Sequence, residues 1–88
     1  KSELRIYPNP VRGDFEGWIT VDGLAYKSTV HVTTASGRLI ATLKSEGGRA
    51  IWDGKDLSGT DVPYGVYLVF ATDADGKSSG TTKIAVIR

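Results

Sequence analysis

Cysteine and methionine are absent from this 88-residue sequence, histidine occurs once, and 11 Lys/Arg against 10 Asp/Glu leave a net charge of only +1. Without cysteine the chain is neither a disulfide-stapled module nor a thiolate zinc domain. One imidazole, no thiol and no Gly-x-Ser-x-Gly elbow leave no nucleophile paired with a base, and metal ligation would fall to carboxylates alone. A charge near zero gives no electrostatic footprint for nucleic acid or an anionic membrane. The longest apolar run, Val66 to Ala71, is far too short to cross a bilayer, and no charged-then-apolar leader opens the chain. A translated polypeptide normally starts with methionine, so a chain that starts Lys1-Ser2-Glu3 reads as a piece of a larger protein.

What is present is glycine, 11 residues of it, and Asx-rich punctuation between short apolar stretches. A chain of this length forms one domain, residues 1–88, and buries roughly 60 to 65% of the surface its unfolded form exposes, enough for a thin core. Within the stretches apolar residues alternate at period two, a strand signal throughout. The first is Glu3 to Tyr7, closed by Pro8-Asn9-Pro10, whose prolines lack backbone donors. The second is Phe15 to Val21, with Ile19 and Val21 opposite Trp18 and Thr20. Ser28 to Thr34 places Val30 and Val32 inward and Thr29, His31 and Thr33 outward. Across the Ala35-Ser36-Gly37 turn, Arg38 to Leu43 sets Leu39, Ala41 and Leu43 on one face, so the two stretches form a hairpin.

Gly47-Gly48 precedes a short strand, Arg49 to Trp52, and Asp53 to Pro63 reads as one long surface loop. Gly65 to Thr72 is nearly continuous in apolar residues, the pattern of a central strand covered on both faces. Thr81 to Ile87 closes the chain. No stretch carries a helical stripe. Seven short strands at this spacing predict an all-β fold, a seven-stranded β-sandwich of immunoglobulin-like or fibronectin-type-III-like form.

Candidate chemistry is sparse. Asp53, Asp56 and Asp61 share one loop and Asp73 and Asp75 another, but neither has the alternating oxygens, sixth-position glycine and twelfth-position glutamate of a calcium loop, and Asp-Gly pairs are what tight turns demand. Gly76-Lys77-Ser78 lacks the earlier glycine and following helix of a phosphate loop. Arg12-Gly13-Asp14 is three ordinary turn residues, and Asn9 is followed by proline and so accepts no glycan. Trp18, Trp52, Tyr7, Tyr26, Tyr64 and Tyr67 could stack on a sugar ring or peptide, although aromatics in so small a domain ordinarily serve the core or its rim.

Four stretches taken together, in order, carry a family resemblance. Leu4-Arg5-Ile6-Tyr7-Pro8-Asn9-Pro10 resembles the opening of the C-terminal sorting domains of the type IX secretion system of Bacteroidetes. Val30 to Ile40, with Gly37 in its turn, is similar to that family's strand-turn-strand element, although Thr33 and its neighbours stand where the family often has an acidic residue or asparagine. Trp52-Asp53-Gly54, Gly59 and Gly65-Val66-Tyr67 resemble its tryptophan, its aspartate-rich loop and its Gly-Val-Tyr strand, and Lys83-Ile84-Ala85-Val86-Ile87-Arg88 its closing strand.

The resemblance implies a folded secretion address with no active site and no cofactor. Its parent would cross the inner membrane, fold in the periplasm, and be recognised by the outer-membrane translocon in transit to the cell surface or medium. A sortase would then cleave before the domain and attach the cargo to anionic lipopolysaccharide. A retained, uncleaved copy that anchors a surface component by binding lipopolysaccharide is an alternative within the family. An accessory carbohydrate- or partner-binding immunoglobulin-like module, with Trp18, Trp52 or Tyr64 as platform, is an alternative outside it. Translocon recognition is expected at residues Lys83, Ile84, Ala85, Val86, Ile87 and Arg88 by strand addition to the closing strand, with Lys83 and Arg88 fixing register. Tyr7, Pro8, Asn9, Pro10, Gly37, Trp52, Asp53, Gly54, Gly65, Val66 and Tyr67 are expected to serve structure. Partners are the translocon and sortase and, in some members, lipopolysaccharide; nucleic acid and membrane insertion are not expected, and pairing of two copies through an edge or terminal strand is open.

Overall fold

The computed structural model describes residues 4–7, 9, 11–12, 18–25 and 27–87. Pro8, Pro10 and Arg88 of the family motifs, with Phe15 and Tyr26, lie outside these residues. Eight strands are present: β1 (Arg5–Tyr7), β2 (Val11–Arg12), β3 (Ile19–Asp22), β4 (Thr29–Thr34), β5 (Leu39–Lys44), β6 (Arg49–Trp52), β7 (Gly65–Thr72) and β8 (Ser78–Ile87). Seven of these are the strands expected from the sequence, and they form a three-stranded antiparallel sheet, β1-β3-β6, facing a four-stranded antiparallel one, β8-β7-β4-β5. The two-residue β2 adds to the outer edge of the larger sheet by parallel pairing with β8. The result is the expected all-β, immunoglobulin-like sandwich.

Alternation builds the core. Ile6, Ile19, Val21, Ala50 and Trp52 point inward from the smaller sheet, and Val30, Val32, Tyr67, Val69, Ala71, Ile84 and Val86 meet them from the larger. Each such apolar side chain taken fully out of water contributes about 1.5 to 3 kcal/mol before chain entropy is offset. Leu4 closes one end of this core by lying over Gly80, where an added Cβ would stand 2.7 Å from the leucine Cγ.

Two details depart from strict alternation. The register between β4 and β5 shifts at Val32/Thr33, so that Val32 pairs with Ala41 but Thr33 with Leu39. The extra residue, Ile40, turns inward beside Ala41 and leaves Leu39 exposed, reversing the face expected for Leu39. A bulge of this kind gives two successive residues to one face and bends the strand. The second departure concerns β7, which lies centrally between β8 and β4 as expected but is buried on one face only. Tyr67, Val69 and Ala71 enter the core, whereas Val66 is 51% exposed and Leu68 and Phe70 are half-buried on the outward side. A two-layer sandwich has nothing to lay over that outer face, so continuous hydrophobicity here does not signify two-sided burial.

Candidate functional site

The closing strand β8 presents two different faces along alternate residues. Ile84 and Val86 are buried in the core, and Lys83, Ala85 and Ile87 lie on the outward face of the larger sheet. Side chains available for recognition are therefore the odd-numbered ones, joined on the same face by Val66, Leu68 and Phe70 through the β7–β8 register, which pairs Val66 with Ala85 and Leu68 with Lys83.

The backbone edge of β8 is partly occupied. Asn9 donates from Nδ2 to the Lys83 carbonyl at 2.9 Å and accepts from the Ala85 amide through Oδ1 at 3.2 Å. Beyond it Val11 pairs with Val86 and Arg12 with Ile87. One asparagine side chain and a two-residue strand thus cover the segment 83–87, and Asn9 of the proline-flanked motif has a defined structural task. Any strand added at this edge must displace that short cover, which is held by few bonds and in the less stable parallel arrangement.

A second group of motif residues fixes the loop between β6 and β7. Trp52 is 1% exposed, packs edge-to-face against Tyr67 with ring centroids 6.4 Å apart, and donates from Nε1 to the Lys55 carbonyl at 2.9 Å. Tyr67, four residues after Pro63, returns its hydroxyl to the Pro63 carbonyl at 2.7 Å. This has the form of a tyrosine corner, a device that ties a loop to the strand following it. Gly54, with φ +77, turns the chain in the left-handed region and offers its carbonyl to the Val62 amide at 3.0 Å. The buried Val62 then pins the loop from within. Trp52, proposed above as one of three carbohydrate platforms, is a core residue and presents no ring to a ligand; Trp18 and Tyr64 remain exposed.

The loop carboxylates serve the backbone. Asp53 Oδ1 accepts from Lys55 N, Asp56 Oδ1 from Ser58 N and Thr60 N, and Asp73 Oδ1 from Asp75 N and Lys77 N. These are Asx turns. Among the described residues no three His, Asp or Glu side chains gather to hold a metal ion. Gly37 sits in the β4–β5 turn, and Gly65 opens β7. Tyr7 lies on the outer face of the smaller sheet, where it borders an open cavity of about 580 Å³ together with Thr20, Arg49 and Ile51. On the same face Asp22 meets Arg5 at 3.1 Å and Arg49 at 3.6 Å. The Gly23 amide bonding to the Asp22 carboxylate, and then the two guanidinium groups, hold its pKa below the ordinary aspartate value.

Residues 5–87 match the model of a protein family described as the secretion system C-terminal sorting domain. The chain belongs to this family. No curated protein matches it. Among solved structures it is similar to PorZ, an essential bacterial surface component of the type IX secretion system of Porphyromonas gingivalis, at 32% identity and a TM-score of 0.84, over 97% of this chain and 11% of that one. Dimeric latent PorU from the same organism aligns over 98% of this chain and 9% of its own, with 21% identity and a TM-score of 0.66. CopC from Methylosinus trichosporium OB3b aligns over 99% and 94%, with 15% identity and a TM-score of 0.59. The last two likenesses show the fold alone. The sorting domain thus spans about a tenth of each secretion-system protein it resembles.

As a sorting domain of type IX secretion the chain belongs to a class of signals rather than catalysts, and such a signal directs export toward the outer membrane or cell surface. No helix among the described residues is long and apolar enough to cross a membrane.

Proposed function

We propose that this sandwich is the folded address by which a larger exported protein is recognised at the outer-membrane type IX translocon, after which a sortase cleaves before the domain and links the cargo to anionic lipopolysaccharide. The observation that carries the reading is the family match across residues 5–87. It is supported by a residue inventory without a catalytic pair and by motif residues, Asn9, Trp52 and Tyr67, whose contacts are spent on holding the domain together. In this reading Lys83 to Arg88 form the segment that the translocon grips, and a receptor strand replaces Asn9 and β2 along the edge of β8.

A second reading is favoured by the 32% identity to PorZ, a surface component. In it the domain is kept on its parent and holds that parent at the cell surface through lipopolysaccharide. One experiment separates the two. Residues 1–88 are fused behind a periplasm-directed reporter in a type IX-secreting host. Surface reporter without the domain supports the cleaved address, and surface reporter with the domain attached supports retention. Reporter held in the periplasm on a folded domain contradicts both and favours an accessory module.

A further inference from the structure

The outward face of the larger sheet carries a run of apolar side chains. Following the registers of β8, β7, β4 and β5, one row reads Lys83, Leu68, Thr33 and Leu39, where Thr33, expected to be exposed, is buried at the β4 bulge, and the next reads Thr81, Phe70, His31 and Thr42. Ala85 and Val66 pair on one flank, with Ile87 beyond them; Thr72, Thr29 and Lys44 close the other. Val66, Leu39 and Ile87 are 51%, 43% and 40% exposed, and Phe70, half-buried, stacks on His31 with centroids 5.1 Å apart. The smaller sheet also exposes Tyr7 and Ile51, but the larger sheet keeps successive apolar side chains, Val66, Leu68 and Phe70, in the water-facing register of its central strand. Contiguous apolar surface of this kind marks an interaction site.

Charge on this face has one sign. Among the outward positions of β4, β5, β7 and β8 the charged residues are Lys83 and Lys44, Arg12 of β2 stands in register with Ile87, and no Asp or Glu occurs. Lys83 is exposed and, among the described residues, meets no carboxylate; Lys44 reaches only the Thr29 hydroxyl, at 3.5 Å. The smaller sheet's outer face is different, since there Asp22 forms ion pairs with both Arg5 and Arg49.

We propose that this face, centred on Val66, Leu68 and Phe70 with Lys83 at its border, docks a protein surface of the secretion machinery whose apolar patch is flanked by carboxylates. The inference rests on the reading of the chain as a sorting domain and deepens it by naming the side chains that are read. Charge decides the occupant. Two copies docked face to face would bring lysines together, which disfavours a homodimer here. Lys83 and Lys44, even with Arg12 at the β2 edge, are fewer than the cluster of roughly four to eight cations that marks anionic lipid recognition. A carboxylate-flanked protein patch satisfies both the apolar rows and the unpaired lysine. The outward residues of β8 and β7 then act as one surface, and Ile84 and Val86 act by holding it flat.

The test uses the 1–88 reporter fusion with four substitutions: Val66→Glu, Lys83→Glu, Lys83→Arg and, as control on the opposite sheet, the 57% exposed Ile51→Glu. All three positions are exposed, and the melting temperature of each purified domain is measured beside export. With folding retained, Val66→Glu and Lys83→Glu are expected to lower surface reporter by about tenfold or more, as loss of interface anchors does. Ile51→Glu should export as the unsubstituted fusion does, and Lys83→Arg, which keeps the positive charge, should restore most of the export that Lys83→Glu loses. Normal export by Val66→Glu overturns the docking face, and normal export by Lys83→Glu overturns the acidic partner. Should Val66→Glu fail to fold, Val66→Ser takes its place, and normal export by that variant overturns the docking face equally. Two further outcomes overturn the proposal: a dimer in sedimentation that Lys83→Glu strengthens, or binding to phosphatidylglycerol vesicles that Lys83→Glu abolishes. Failure of the unsubstituted fusion to leave the periplasm is a separate result and counts against the sorting reading itself.

Discussion

Asn9 stands against Ala85 as a strand would. Its Oδ1 accepts the Ala85 amide at 3.2 Å while its Nδ2 donates to the Lys83 carbonyl at 2.9 Å, so one carboxamide supplies the donor and acceptor that a neighbouring backbone would present. Proline on both sides of Asn9 removes the adjacent backbone donors, which is why the side chain rather than the main chain makes these bonds.

Asn9→Ala is expected to destabilise the domain by about 1 kcal/mol, since the site is exposed and water partly replaces the lost partner. Asn9→Asp should be no better, because a carboxylate keeps the acceptor but sets a second oxygen against the Lys83 carbonyl. Urea denaturation reads the stability change, and amide hydrogen exchange at Ala85 should accelerate in both variants. Unchanged exchange at Ala85 would mean that Asn9 does not cover this edge.

Tyr67→Phe removes only the hydroxyl that bonds to Pro63, and should cost about 1 to 2 kcal/mol while leaving the fold intact. Trp52→Ala removes the ring under the loop and its bond to Lys55, with a cost of about 3 to 5 kcal/mol. For a domain this small that loss approaches the whole stability, so thermal unfolding should shift to near or below room temperature.

Gly80→Ala forces a methyl against Leu4 and should cost about 1 to 3 kcal/mol. In a Leu4→Ala background the same substitution should cost less, because the clashing atoms are gone. Additive losses in the double-mutant cycle would refute the close approach of these two residues.

Asp22 gives the fold an acid dependence of known sign. Its pKa is depressed in the folded state, so its contribution is present above the unfolded value near pH 4 and is lost as pH falls through the lower folded value. Asp22→Asn should therefore be less stable than the natural chain at neutral pH. The gap should close as denaturation curves are taken below about pH 4. A gap independent of pH would remove the ionised carboxylate from the account.

Period-two alternation and Gly/Asx punctuation were enough to place seven strands, because each strand buries one face and each turn needs residues of special backbone freedom. What escaped was non-local. Val11–Arg12 is too short to carry a pattern and becomes a strand only through Val86 and Ile87. The bulge that turns Ile40 inward depends on pairing between β4 and β5, and alternation read along one strand assigns Leu39 instead. At the candidate surface, alternation along β8 sets Ile84 and Val86, both buried, opposite Ala85 and Ile87. The companions Val66, Leu68 and Phe70 were masked by a run of apolar residues that looks the same whether one face is covered or two.

The central claim is tested most directly by the location of a reporter joined to residues 1–88 in a type IX-secreting host, scored by protease accessibility on intact cells. The account predicts accessible reporter with the natural sequence and reporter confined to the periplasm when Lys83 to Arg88 are replaced on a domain that still melts cooperatively. Equal surface exposure of both fusions would contradict it.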